Sequence, residues 1–194
     1  MHEDEFIRQS LLESARTKEA MIAACSGGLR TAADWIAEAM RAGHKLMICG
    51  NGGSAADSQH ISTEFVVRLT AENNRGALPC IALTTDTSAL SAAANDFGFE
   101  YIFSRQVEAL GRTGDVLIGI STSGKSTNVV KAAQAAKDRG IKVIAFLGQE
   151  KRQLGEIADL CIQIPSADSQ RVQEGHITAG HLLVALVENR LQGK

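Results

Sequence analysis

The chain has 194 residues, 44% hydrophobic and 22% charged, with a formal net charge of -2. That length holds one domain with a full core, and the near-balanced charge gives no reason to expect nucleic acid or an anionic membrane as a partner. Its four cysteines, Cys25, Cys49, Cys80 and Cys161, lie far apart, which argues against a thiolate zinc site or a C-x-x-C redox pair.

The acidic start, Met1 to Phe6, lacks the apolar core of a signal peptide. No apolar run reaches the roughly 18–20 residues that span a bilayer. Unpaired thiols inside apolar runs fit a reducing compartment, so the expected location is the cytoplasm. The expected organisation is a single domain, 1–194: N-terminal helices in 4–42, a sheet core in 45–165 and a final helix in 168–191.

Residues 4–42 read as two helices split near Ser26-Gly27-Gly28. Phe6, Ile7, Leu11, Leu12, Ala15, Met21 and Ile22 form an apolar stripe on the first. Together with the final helix, this is more apolar surface than one side of a sheet needs, so it is expected to pack against other subunits. Five short apolar runs follow: Leu46–Cys49, Cys80–Leu83, Val116–Ile120, Val143–Leu147 and Leu160–Ile164. They are continuous rather than alternating, as strands buried on both faces are. Helices are expected between them. One covers Ser54–Leu69, opening with a capping-box-like Ser54-x-x-Asp57. Two lie in Asp86–Gly111, broken near Asn95–Gly98. Another covers Ser126–Arg139, stopped by Gly140. The last helix carries Val172, Ile177, Leu182, Leu183, Leu186, Val187 and Leu191. Alternating strands and helices imply an α/β fold: a doubly wound, five-stranded parallel sheet in flavodoxin-like order 2-1-3-4-5.

Two strand ends run into Gly/Ser loops, Gly50-Asn-Gly-Gly-Ser54 and Ser121-Thr-Ser-Gly-Lys-Ser126. In the 2-1-3-4-5 order these loops meet at the switch point, where such sheets bind ligands. Hydroxyls and helix-start N–H groups there suit a phosphate monoester, although Ser and Gly also cap helices with no ligand at all. Two motif matches mislead. Gly119 to Ser126 fits G-x-x-x-x-G-K-[ST], but Gly119 falls inside a strand, and no later strand ends in an acid to help hold magnesium. Gly50-x-Gly52-x-x-Ala55 fits a loose dinucleotide fingerprint, but the acid it needs lies too far along, at Asp86.

His60 and Glu64, at i and i+4, share one helix face. Alone they read as a surface ion pair. The final helix adds Gln173, Glu174, His176 and His181 within nine residues. Imidazoles, a carboxylate and an amide oxygen near a phosphate pocket suit zinc or a similar divalent ion. Gln173 and His181 are separated by about 12 Å of regular helix, so they serve one metal only with inward reach, an irregular helix start, or ligands from different chains.

At this point a resemblance becomes specific. Cys49–Ser54, Gln59-His60, Glu64, Ala94–Gly98, Gly114–Gly124 and Gln173-Glu174-x-His176-x4-His181 resemble the bacterial phosphoheptose isomerases, sugar-isomerase (SIS) domain proteins. The resemblance covers nearly the whole chain. It implies a SIS fold with long terminal helices, a cytoplasmic homotetramer with active sites at subunit interfaces, and zinc as cofactor, one ion per site. It implies His60, Glu64, Gln173 and His181 as metal ligands and Glu64 and His181 as the catalytic acid/base pair. Substrate contacts would come from Asn51, Gly52, Gly53, Ser54, Glu64, Arg68, Asn95, Asp96 and Gln173. Ser121, Thr122, Ser123 and Ser126 would hold the phosphate. Lys125 stands where the family more often has Asn. The implied reaction converts sedoheptulose 7-phosphate to D-glycero-D-manno-heptose 7-phosphate through an enediol, a step in ADP-heptose and lipopolysaccharide-type heptose biosynthesis. Two alternatives share the fold: a non-enzymatic tetramer that binds the bacterial replication initiator, whose branch lacks the acid and the final His, and another SIS sugar-phosphate isomerase.

Overall fold

The computed structural model describes residues 2–193; Met1 and Lys194, the outer bounds of the expected domain, lie outside them. A 39-residue helix, α1 (Glu3–Arg41), precedes β1 (Leu46–Gly50), α2 (Gly53–Val66), β2 (Cys80–Ala82), α3 (Thr87–Asp96), a 3₁₀ turn (Phe99–Tyr101), α4 (Ser104–Leu110) and β3 (Val116–Ser121). Then come α5 (Thr127–Lys137), β4 (Lys142–Leu147), α6 (Arg152–Ile157), β5 (Leu160–Gln163) and α7 (Ser169–Leu191). The strands form one parallel sheet in the order β2-β1-β3-β4-β5. This is the expected flavodoxin-like order.

The sheet is buried on both faces, which explains its unbroken apolar runs. Leu46, Ile48, Ile118, Ile144 and Ile162 point into a core shared with α1, α2 and α7. Met47, Leu117, Val143 and Ala145 point the other way, against α4, α5 and α6. Register places Gly50 beside Ile120 and Ser121 beside Leu147, so the two Gly/Ser loops leave the same sheet edge side by side. No helix among the described residues is long and apolar enough to cross a membrane.

Three expectations need correction. First, the N-terminal segment is one helix, not two. Gly27 and Gly28 sit inside it, and a Cβ on Gly28 would lie 2.7 Å from Ile162 Cδ1. The missing side chain lets α1 press onto β5 instead of ending the helix. Second, α2 has no capping box. It begins at Gly53 behind Gly52, whose φ of 55° only glycine adopts readily, and no side chain caps it. Ser54 therefore falls inside the first turn, and Asp57 Oδ2 is buried without a partner. Third, α2 stops at Val66, leaving Arg68 and Leu69 beyond its end.

Candidate active site

The loop after β1 and the loop after β3 are locked together by two amides. Asn51 Nδ2 donates to Asn128 Oδ1 at 2.9 Å, and Asn128 Nδ2 returns the bond to Asn51 Oδ1 at 2.8 Å. Asn128, in the first turn of α5, is buried, so both amides are held in one orientation. The sequence reading missed Asn128; only the adjacency of β1 and β3 makes it a partner for Asn51.

The hydroxyl loop is organised from within. Ser121 Oγ lies 3.0 Å from Ser126 Oγ and accepts from the Gly124 N–H at 3.1 Å. Ser123 Oγ accepts from the Lys125 N–H at 3.3 Å. Ser126 is the N-cap of α5 but makes no side-chain cap bond, so the positive end of the helix still faces the loop. The loop divides two cavities. Thr122 and Ser123 line one of about 210 Å³ with Gln149, Ser166 and Ser169. Asn51, Lys125 and Ser126 line the other, of about 570 Å³, with Phe99 and Glu100.

Farther along α2, His60 and Glu64 meet His181 of α7. His60 Nε2 lies 2.8 Å from His181 Nε2 and 3.4 Å from Glu64 Oε1. One ligand atom from each of the three falls within 4.8 Å of the others. The helices can come this close because Gly180 faces Ile61; a Cβ there would lie 2.5 Å from Ile61 Cδ1. The small residue just before His181 thus sets its distance from His60. A tetrahedral zinc shell with bonds of about 2.0–2.1 Å spaces its donors about 3.3 Å apart. The His60–Glu64 separation of 3.4 Å matches that spacing, the imidazole pair at 2.8 Å would open slightly around an ion, and two imidazole nitrogens with a carboxylate oxygen fit its donor chemistry.

Gln173 stands apart from that trio. Its amide covers the start of α2, with Nε2 2.9 Å from where a Gly53 Cβ would be. It lies beside the first Gly/Ser loop, while His181 lies about two turns farther along α7. The other polar groups around the start of α7 have structural duties. Arg171 Nη2 donates to Glu174 Oε1 at 2.6 Å. His176 is buried, 3.1 Å from the Leu147 carbonyl oxygen, and burial pushes its pKa down to about 4. Asp168 caps α7 by accepting from the Gln170 and Arg171 N–H groups.

The remaining expected contacts are scattered. Gly52 and Ser54 lie in the first loop, with Gly52 exposed and Ser54 buried. Arg68 is exposed. Asn95 donates to Asp96 Oδ1 at 2.8 Å at the end of α3, and Asp96 lines a separate groove with Phe97 and Arg105.

Similarity to known proteins agrees with this arrangement. The family model described as SIS domain matches residues 11–148. Phosphoheptose isomerase of Chlorobaculum parvum is 48% identical over 189 residues, covering 97% of this chain and 90% of that protein. The structure of phosphoheptose isomerase GmhA from Neisseria gonorrhoeae is 38% identical with a TM-score of 0.90, covering 96% of this chain and 98% of that one. That of a phosphoheptose isomerase from Francisella tularensis is 32% identical with a TM-score of 0.93, covering 97% of this chain and 100% of that one. With the SIS sheet order, paired Gly/Ser loops and near full-length likeness, the chain belongs to the SIS-domain family and, within it, to the phosphoheptose isomerases.

Proposed function

We propose that the protein is a sugar-phosphate isomerase that converts sedoheptulose 7-phosphate to D-glycero-D-manno-heptose 7-phosphate in heptose biosynthesis. The observation that carries this reading is the convergence of His60, Glu64 and His181 on a SIS frame whose hydroxyl loop opens from the same sheet edge.

The residues divide the work. Ser121, Thr122, Ser123 and Ser126 hold the phosphate at the start of α5, with Lys125 adding a cation. Asn51, Gly52, Gly53, Ser54 and Gln173 hold the sugar along the opening turn of α2. Glu64 takes the proton from C1 of the ketose while His181 donates one to the C2 carbonyl oxygen, giving an enediol. The carboxyl of Glu64 then returns its proton to C2 while the C1 hydroxyl gives its own to His181, leaving an aldehyde and restoring both side chains. Atoms are conserved, as an isomerisation requires. His60, Glu64 and His181 would hold a zinc ion, one per site, which when bound polarises the sugar carbonyl; Gln173, set about two turns away along α7, would join that shell from a neighbouring copy. Liganding and proton transfer compete for the same Glu64 carboxylate.

The whole chain, 1–194, acts as one domain in a cytoplasmic homotetramer with its sites between subunits. Asn95, Asp96 and Arg68 then reach the sugar from a neighbouring copy. Four free cysteines, with burial pushing Cys49 and Cys80 up to about 12, suit a reducing compartment.

The direct test incubates purified protein with sedoheptulose 7-phosphate, with and without added zinc, and follows products by NMR. Aldoheptose 7-phosphate is the expected product. Its absence under both conditions sinks the reading.

A further inference from the structure

The C-terminal end of α2, where Glu64 lies, has a clamp of its own. A helix end leaves its last carbonyls without intrahelical partners. Here one guanidinium takes two of them: Arg75 Nη2 donates to the Glu64 carbonyl oxygen at 2.7 Å, and Nη1 donates to that of Phe65 at 2.8 Å. Nη1 also donates to the Gly76 carbonyl at 2.9 Å. A fixed positive charge at this end also complements the helix dipole.

The same guanidinium is tied to the other helix of the trio. Arg75 Nε donates to Glu188 Oε1 of α7 at 2.6 Å. The second oxygen of Glu188 accepts from Asn73 Nδ2 at 2.7 Å. Asn73 Oδ1 in turn accepts from Gln192. Both charged side chains are nearly buried, 9% and 5% exposed. Glu188 follows His181 by seven positions, two helical turns, so it lies on the same side of α7. One planar fork therefore joins the backbone of Glu64 to the helix that carries His181.

We propose that Arg75, anchored by Glu188, is a positioning residue that sets the spacing of the His60, Glu64 and His181 centre. The proposal rests on reading that centre as the catalytic and metal site. A buried ion pair adds little net stability over apolar residues of similar size, so stability alone is a weak reason for this pair. A bidentate fork with more than one carbonyl to hold fixes geometry that a lysine point charge does not. The clamp lies at the opposite end of α2 from the Gly50–Ser54 loop. Its loss should therefore disturb zinc binding and turnover but not phosphate recognition.

Two variants separate positioning from folding. Arg75→Lys keeps the charge and loses the fork. Arg75→Met/Glu188→Met removes both charges together, so neither is stranded in the interior. Zinc affinity, read by competition with a chromogenic chelator, should fall about 10–100-fold in both, as it does when residues that orient metal ligands are lost. The kcat for sedoheptulose 7-phosphate should fall with it while KM stays at the wild-type value. Folded variants with wild-type zinc affinity and wild-type kcat overturn the proposal and leave Arg75 a structural tie. Wild-type protein that neither holds zinc nor isomerises the sugar overturns the reading of the centre, and the proposal with it.

Discussion

In the proposed reaction Glu64 carries the heaviest chemical demand of any single side chain. Its carboxylate lies 3.4 Å from His60 Nε2, and its own backbone carbonyl is held by Arg75. A group already fixed at both ends can move a proton with little reorganisation. Glu64→Gln keeps the shape and removes the base, so kcat should drop about 10²–10⁴-fold while circular dichroism stays unchanged. Wild-type turnover of that variant eliminates Glu64 as the base. Two other groups, half-buried Asp57 and buried His176, act on stability instead. Burial raises the pKa of Asp57 to about 6, against the pull of His60, and burial lowers that of His176 to about 4. Between pH about 4 and 6 the folded chain holds a proton on Asp57 that the unfolded chain has released, so stability falls as pH rises. His176 does the reverse: the unfolded chain takes up a proton that the folded chain refuses, so stability rises with pH toward about 6.5. In wild type the two slopes oppose each other. Asp57→Asn should leave the His176 slope alone, and the urea midpoint, with zinc chelated, should climb more steeply from pH about 4.5 to 6.5 than in wild type. Equal slopes for the two proteins count against the burial of Asp57.

At the scale of elements, small residues decide where helices touch. Gly180 lets α7 meet α2 at Ile61, and Gly28 lets α1 meet β5 at Ile162. Gly180→Ala should cost about 1–3 kcal/mol as an overpacked contact. It should also weaken zinc binding by pushing His181 away from His60, and chelator competition together with thermal melting checks both effects. Gly27 and Gly28 make a matched pair. A Cβ on Gly27 meets nothing within 4 Å, whereas one on Gly28 meets Ile162 Cδ1 at 2.7 Å. Gly27→Ala should stabilise by about 0.5–1 kcal/mol, because alanine loses less backbone freedom in a helix. Gly28→Ala should forfeit that gain. Equal gains by urea unfolding would mean that α1 does not press on β5.

For the whole molecule, the first half of α1 is the conspicuous feature. None of the described residues of α1 before Met21 is buried, and Phe6, Leu11 and Ile22 are 63%, 67% and 69% exposed. Apart from Met21, which joins the core, the apolar stripe legible in the sequence is therefore not spent on this chain's own core. Such an exposed apolar patch marks an association face, in keeping with the proposed tetramer. Phe6→Asp/Leu11→Asp should yield a smaller assembly by light scattering, with isomerase activity falling alongside if each site lies between subunits. An unchanged assembly removes the stripe from the interface.

The sequence by itself determined the strands, their order and the two loops. Runs such as Val116–Ile120 are apolar at every position, and that pattern has few homes other than a sheet covered on both faces. His60 and Glu64 were legible as a pair because helical period alone aligns i with i+4. Their meeting with His181 rests on a contact between distant helices, at Gly180 and Ile61, that no local pattern encodes. The same holds for Asn51 with Asn128 and for Arg75 with Glu188, which lie 77 and 113 positions apart. Local period also misread two places. Gly27-Gly28 looked like a helix break, and Ser54-x-x-Asp57 looked like a cap. In both, what decided the outcome was how closely another part of the chain approaches, or which way a glycine turns. Tertiary structure alone decided those, because close packing selects for the space a residue leaves as much as for its propensity.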